Sequence, residues 1–436
     1  MEQPNILLVT ADSIRADWCG FLNTEFETTP FLSRLASDSY IFNNAIAPGP
    51  RTPSSVPVFF TGEFYRPDGL DRDTSSGRQR LIRVARHIQR FQTIPEILRE
   101  RGYSTAAFTA NPWTTTTTNF DDPFNEFSEI GSGYGDDDSK NEGGADRTFL
   151  DRLYGQFVNI KDKSNSFSQW PTFYQDIIKT ASRLSEPWFL WVFLLDTHSP
   201  YITPSEYRLE SSTVRQYYTA ARYNMSVLWS NEGTGARQSL PTHVERLTRE
   251  SYRDSIRSVD GFVKSIYKDL SNFSPSLIFH ADHGEAFGEH GTYGHHNQLY
   301  EENLRVPLLI NAGDASGEIS EPISLRSLPQ FIKSISATGE ISPSEHRNPI
   351  VQSRTEFGED VCYYSSSWKY IRTDESQELY NLRESAPESK DVKEEFPNVN
   401  SIFSQIHIEA QLNRQERQVI YDTACSLSNQ DIDYMV

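Results

Sequence analysis

The chain has 436 residues, with 41 Lys and Arg against 60 Asp and Glu, for a formal net charge of −19. That length suits one large domain with an appendage. The acid excess repels phosphate backbones and anionic membrane surfaces, which excludes a general nucleic-acid binder, and the longest apolar run, Trp188–Leu195, is far below the roughly 20 residues of a spanning helix.

The opening MEQPNILLVTADS has no basic n-region and no small-residue cleavage site. It reads as a strand starting near residue 4 and not as a signal peptide, so a cytoplasmic chain is expected. Residues 5–11 form a short apolar run, as in a buried parallel strand. Residues 29–39 carry apolar positions at helical spacing, with Thr29 as N-cap and Pro30 opening the helix. In RTPSSVPVFFTG (51–62) hydroxyls precede a helix that Pro53 would begin, and Pro57 implies a short first turn or a kink. Residues 93–102 read as a capped helix closed by Gly102, leading into a strand over 103–111. The runs 188–196 and 276–282 repeat the strand theme. Their ends supply Asp12, Thr109 or Asn111, Asp196 and Asp282, and ligands bind at the carboxyl ends of parallel strands.

Two insertions interrupt this alternation, about 114–180 and 205–250. The first starts with TTTTTN and an acidic Gly-rich stretch (131–144) that reads as loop or disorder. The second is polar. After residue 340 the texture becomes alternating and aromatic, as in antiparallel strands, followed by a helix over about 397–425. The expected fold is α/β: a large, mostly parallel sheet flanked by helices over 1–340, with a smaller α+β subdomain over 341–436. Three cysteines, widely spaced, argue against a disulfide framework. Ten Lys against 31 Arg, with the acid excess, point to a salt-adapted cytosol.

ADHGEAFGEHGTYGHH (281–296) is the densest chemical cluster, with four of the ten histidines in a Gly-punctuated loop. Asp282 and His283 at a strand end offer one hard oxygen and one imidazole, a mix suited to Mn, Zn or Fe more than to Mg or Ca. Asp12 completes such a set, or else caps the segment that follows. At 51–62 three hydroxyls compete: one could be a nucleophile activated by a metal, and the others caps. Asp196 and His198, two apart on extended chain, would share a face, and His198 could contact substrate or protonate a leaving group.

Taken in order, PNILLVTADSIRAD, TPFLSRLASDSYIFNNAIAPGPRTPSSVPVFFTG, PWFLWVFLLDTHSPY, ADHGEAFGEHGTYGHHNQLYEENLRVPLLI and WKYIRTDESQELYNL resemble the sulfatase family of the alkaline-phosphatase superfamily. The likeness covers most of the chain outside the two insertions. It implies an alkaline-phosphatase-like fold and one divalent metal ion, with Mn or Zn favoured and Ca possible. The metal would be held by Asp12, Thr52, Asp282 and His283. The resemblance further implies Thr52 as nucleophile, His198 and His295 as oxyanion or leaving-group contacts, and Asn111 and Thr109 as substrate contacts. Glu285, His290 and His296 lie close by, without individual roles.

The chain departs from the family's Cys/Ser-x-Pro-x-Arg motif. Thr52 cannot be oxidised to formylglycine, Pro53 stands one place early, Val56 replaces the Arg, and Ser13 replaces a metal Asp. Thr52 instead resembles relatives that transfer phosphoryl groups through a threonine. The Asp282-His283 pair resembles the phosphonate and phosphodiester hydrolases of the group. The expected function is metal-dependent hydrolysis or transfer of an anionic ester (phosphodiester, phosphonate or sulfate), in a small molecule or glycan. A sulfuric-ester hydrolase without formylglycine and a non-catalytic metal- or glycan-binding homologue are the alternatives.

Overall fold

A computed structural model describes residues 3–68, 70, 75–130, 169–229, 240–343, 348–358 and 360–427. The acidic stretch of the first insertion and the middle of the second fall outside the described residues.

Eight strands make the main sheet: β1 (Ile6–Ala11), β2 (Tyr40–Phe42), β3 (Ser104–Thr109), β4 (Glu126–Glu129), β5 (Trp188–Leu194), β6 (Ser276–Ala281), β7 (Leu308–Asn311) and β8 (Gly317–Ile319), in the spatial order β8-β2-β7-β6-β1-β5-β3-β4. The run β6-β1-β5-β3-β4 is parallel, and β7 alone is antiparallel to its neighbours. Every residue of β1, β5 and β6 is buried, because helices cover both faces of a parallel sheet and leave no solvent side. This is the mostly parallel α/β architecture expected from the sequence.

Polar atoms inside this sheet are paired across it. Trp191 Nε1 donates to Thr10 Oγ1 at 3.0 Å, and Thr10 Oγ1 meets His280 Nε2 at 3.0 Å. Burial pushes His280 down to about 4, so the imidazole sits neutral in the core. Against this layer packs helix α1 (Thr52–Thr61). Phe60 lies 4.6 Å from Trp191 and Phe59 4.8 Å from His280, centroid to centroid. The helix passes through Pro57 and keeps Thr52, not Pro53, as its first residue.

Tertiary contacts override two local expectations. The segment 29–39 is α-helical over Pro30–Leu35 and continues as a 3-10 turn over Ala36–Asp38, but Thr29, at the N-cap position, makes no side-chain cap bond. Its hydroxyl accepts from Gly20 N, and the free amides of Phe31 and Leu32 are taken by the buried Asp260 carboxylate. The start of the first insertion is ordered: Thr114 and Thr118 are buried, and the chain goes on to add β4 to the sheet edge. The second insertion is helical in its described parts, with α2 (Thr213–Trp229) leading towards α3 (Thr242–Asp269), whose apolar face is core.

A separate antiparallel meander follows, β9 (Val351–Arg354), β10 (Val361–Tyr364), β11 (Trp368–Arg372) and β12 (Gln377–Asn381). Helix α4 (Pro397–Leu427) stacks Phe403 on Tyr370 at 5.8 Å over its small core. Among the described residues no helix is long and apolar enough to cross a membrane.

Candidate metal centre

Strand register builds the centre. Ala11 pairs with Ala281 across the parallel β1–β6 ladder, so the next residues, Asp12 and Asp282, leave the sheet side by side. Both are fully buried. Asp12 Oδ2 accepts from Asn111 Nδ2 at 2.8 Å, and its Oδ1 accepts from the Ser13 hydroxyl. Ser13 has φ +59°, which turns its amide onto Asp282 Oδ1 at 3.1 Å. The His283 amide joins it at 2.9 Å. Asp282 Oδ2 has no hydrogen-bond partner.

His283 completes the group. Its Nδ1 donates to the Gly284 carbonyl at 2.9 Å, which fixes the tautomer and leaves the Nε2 lone pair free. That nitrogen lies 3.4 Å from Asp282 Oδ2, 3.9 Å from Asp12 Oδ1 and 3.3 Å from Thr52 Oγ1. Gly284 is required here: a Cβ would lie 2.1 Å from the Glu302 carbonyl oxygen.

The helix start sorts the three competing hydroxyls. Ser54 Oγ accepts from the Arg51 amide at 3.1 Å and serves the helix cap. Ser55 Oγ donates to the Asp282 carbonyl at 2.6 Å and ties helix to loop. Thr52 alone faces the carboxylates and imidazole, with Asn111 Nδ2 3.4 Å from its Oγ1.

Electrostatically the group is unbalanced. Burial, then the charge of Asp12, pushes Asp282 well above the usual carboxylate range, while burial pushes His283 down. Two dry carboxylates, a neutral imidazole and an oxygen without a donor fit a divalent cation. Donor atoms of Asp12, Asp282 and His283 all lie within 4.8 Å of one another. Zn and Mn accept this oxygen-and-nitrogen set.

The remaining candidates divide. His198 and His295 come together, ring centroids 5.0 Å apart, and His295 lies 4.6 Å from His283. Burial, then His283 and His198, holds His295 well below the usual imidazole range. Asn111 is in the site. Thr109 is behind it: its hydroxyl bonds Thr114 and accepts from the Asn111 amide at 3.2 Å, shaping the loop that presents Asn111. Asp196 does not share a face with His198. A turn in which the His198 amide bonds the Leu195 carbonyl replaces extended chain, and Asp196 turns to the Trp170 amide.

Two features escaped sequence reasoning. Glu285 is buried against His295, Tyr201 and Tyr223. Its signal was present as an acid beside a metal motif, but its partners lie 84 and 62 residues away. Second, His290, Glu302 and Glu388 offer another set of close donors. There the buried Lys369 ammonium already pairs with Glu388 and with Glu301. That charge is compensated, and the group clasps the 281–296 loop to the C-terminal meander.

Comparison with known proteins gives a consistent set. A family model described as Sulfatase matches residues 4–335. Iduronate 2-sulfatase of Mus musculus is 25% identical over 344 residues, covering 70% of this chain and 59% of that protein. The Homo sapiens protein of the same name is 23% identical over 354 residues, covering 73% and 61%. The chain thus spans about three fifths of the length of the curated relatives it matches. Among solved structures, the phosphonate monoester hydrolase of Agrobacterium radiobacter has a TM-score of 0.66 at 16% identity, covering 94% of this chain and 96% of that one. A protein solved with its substrate D-glucosamine-2-N,6-O-disulfate has a TM-score of 0.66 at 14% identity, covering 95% and 99%. At these identities the two structures speak to a shared fold.

Proposed function

The chain belongs to the sulfatase family, and from that premise we propose that it hydrolyses or transfers anionic esters at a single divalent-metal centre, with Thr52 as nucleophile. The observation that carries this reading is the approach of Thr52 Oγ1 to His283 Nε2 at 3.3 Å beside the unpartnered Asp282 Oδ2. Asp12, Asp282, His283 and Thr52 would hold the ion. Bound there, a divalent cation supplies Lewis-acid polarisation of the ester and lowers the pKa of a nearby hydroxyl.

The chain's own groups do the rest. Thr52 Oγ1 attacks phosphorus or sulfur from the start of α1, where the positive end of the helix dipole favours an anion. Asn111 Nδ2, between Asp12 and Thr52, orients the nucleophile and stabilises charge on the ester oxygens. His198 and His295 stand on the leaving side. The acidic surface does not oppose this, because a bound divalent cation would dominate the field at the site, which can differ from net charge.

Phosphorus is the preferred centre, since Thr52 cannot become formylglycine. The sulfate reading is favoured by the names of the curated relatives, and a sulfated sugar is its natural form. Turnover of nitrophenyl sulfate, phosphate, phosphodiester and phosphonate by the metal-loaded protein decides between them. Fast sulfate hydrolysis removes the phosphorus preference. Stoichiometric Mn or Zn with no turnover on any of the four would favour a binding homologue. The arginine-rich, lysine-poor acidic surface further supports work in a salty cytosol, which activity and stability in molar KCl would test.

A further inference from the structure

Behind the histidines lies a carboxylate that the steps above leave unused. Glu285 is fully buried. Its Oε2 accepts from His295 Nδ1 at 2.7 Å, and its Oε1 accepts from the Tyr201 hydroxyl at 2.6 Å and the Tyr223 hydroxyl at 3.3 Å. An ionised carboxylate only accepts, so Nδ1 of His295 carries a hydrogen whether the ring is neutral or charged. Nε2 is then the atom left to act. The His295 ring lies beside His283, whose Nε2 touches Thr52 Oγ1 at 3.3 Å, and beside His198.

The two tyrosines come from different places. Tyr201 follows the turn after β5 and is held at φ +55°. Tyr223 comes from α2, so the second insertion reaches into the site. Together they fix the oxygen of Glu285 that His295 does not use.

Building on the Thr52 reading, we propose that Glu285 is a positioning residue that orients His295, so that Nε2 carries the proton of the ester exchange. Thr52 Oγ1 attacks as the alkoxide, and as its bond to phosphorus or sulfur forms the bond to the leaving oxygen, in line on the far side, breaks and that oxygen takes the proton from Nε2 of the His295 imidazolium. Water then attacks from the same side and gives its proton to Nε2, and the bond to Oγ1 breaks, which restores the alkoxide. Nδ1–H stays on Glu285 throughout, and the carboxylate stabilises the imidazolium. The second insertion is thereby a support of the reacting centre and not surface decoration.

Leaving-group dependence separates this role from a structural one. Glu285→Gln keeps an acceptor for Nδ1–H and removes the charge. Tyr223→Phe removes one support and guards against a Glu285 variant that does not fold. Metal-loaded protein is assayed on the 4-nitrophenyl and phenyl esters of one acid. For Glu285→Gln, kcat falls about 10-fold on the nitrophenyl ester and about 100-fold on the phenyl ester, because a poorer leaving oxygen depends more on the proton. KM stays within about two-fold, and Tyr223→Phe shows the same order with smaller losses. Equal losses on both esters, or an effect on KM alone, overturn the proposal. Thr52→Ala is run alongside. If it retains turnover, the Thr52 reading fails. If it abolishes turnover while neither variant discriminates between the esters, the failure belongs to the Glu285 assignment alone.

Discussion

The Tyr65 hydroxyl donates to the Pro53 carbonyl at 2.7 Å. In a regular helix that carbonyl accepts from the amide four residues on, and here that residue is Pro57, which has none. Tyr65 thus supplies from outside the donor that α1 lacks, and the helix holding Thr52 runs through its proline. Tyr65→Phe leaves a buried acceptor unpaired and should cost about 1–3 kcal/mol of stability. Chemical denaturation measures the loss, and an unchanged midpoint would show that water or a backbone shift replaces the hydroxyl.

Thr52→Ala should lower kcat by about 10³-fold or more, since a lost nucleophile leaves only binding and electrostatic effects. Metal content should be nearly retained, because Asp12, Asp282 and His283 remain. Thr52→Ser keeps a hydroxyl and should keep measurable turnover. Wild-type kcat in Thr52→Ala would transfer the nucleophile's role to water.

The two carboxylates predict opposite signs with and without metal. In metal-free protein the buried Asp282 charge is opposed by burial and by Asp12, so Asp282→Asn should melt higher than the parent at pH 8. Added Mn or Zn at about 100 times its Kd should stabilise the parent by about 2.7 kcal/mol and the variant far less. Equal shifts on titration, followed by scanning calorimetry, would remove Asp282 from the ligand set.

Much of this site was legible in the chain, because parallel strands are apolar throughout and end in their functional residues. Asp12, Asp282 and His283 could be placed from strand ends alone. What the sequence hid was side-chain direction after a turn and contact at long range. Thr109 and Asn111 are two residues apart, yet only Asn111 faces the carboxylates, because Thr109 is consumed by Thr114. Thr29 looked like a cap, but Asp260, 229 residues from Phe31, took that role. Local propensity describes a helix end without knowing which distant carboxylate will reach it.

Lys369, on β11, ties the meander to Glu301, just past the 281–296 loop. It is fully buried, paired with Glu388 and, at 3.3 Å, with Glu301. Lys369→Met removes one partner of a buried group and should cost about 3–5 kcal/mol, because the carboxylates are left uncompensated. Adding Glu388→Gln should recover part of that loss. Additive losses in this double-mutant cycle would mean the pair is not coupled.

Asp196 gives a pH signature away from the metal. Burial raises it to about 7, opposed by the Trp170 amide, against about 3.9 in an unfolded chain. The folded state therefore binds the proton more tightly. The stabilisation this brings is complete below about pH 4 and is lost as pH rises through about 7. Three pKa units correspond to at most about 4 kcal/mol. Asp196→Asn mimics the protonated form and cannot ionise. The stability of the parent relative to this variant should fall between pH 4 and 7 and flatten above pH 8, where the variant is the more stable protein. Denaturation midpoints for both proteins across pH 5–8 test this, and a difference that is constant or rises with pH would place the Asp196 charge in a solvated or cation-paired setting.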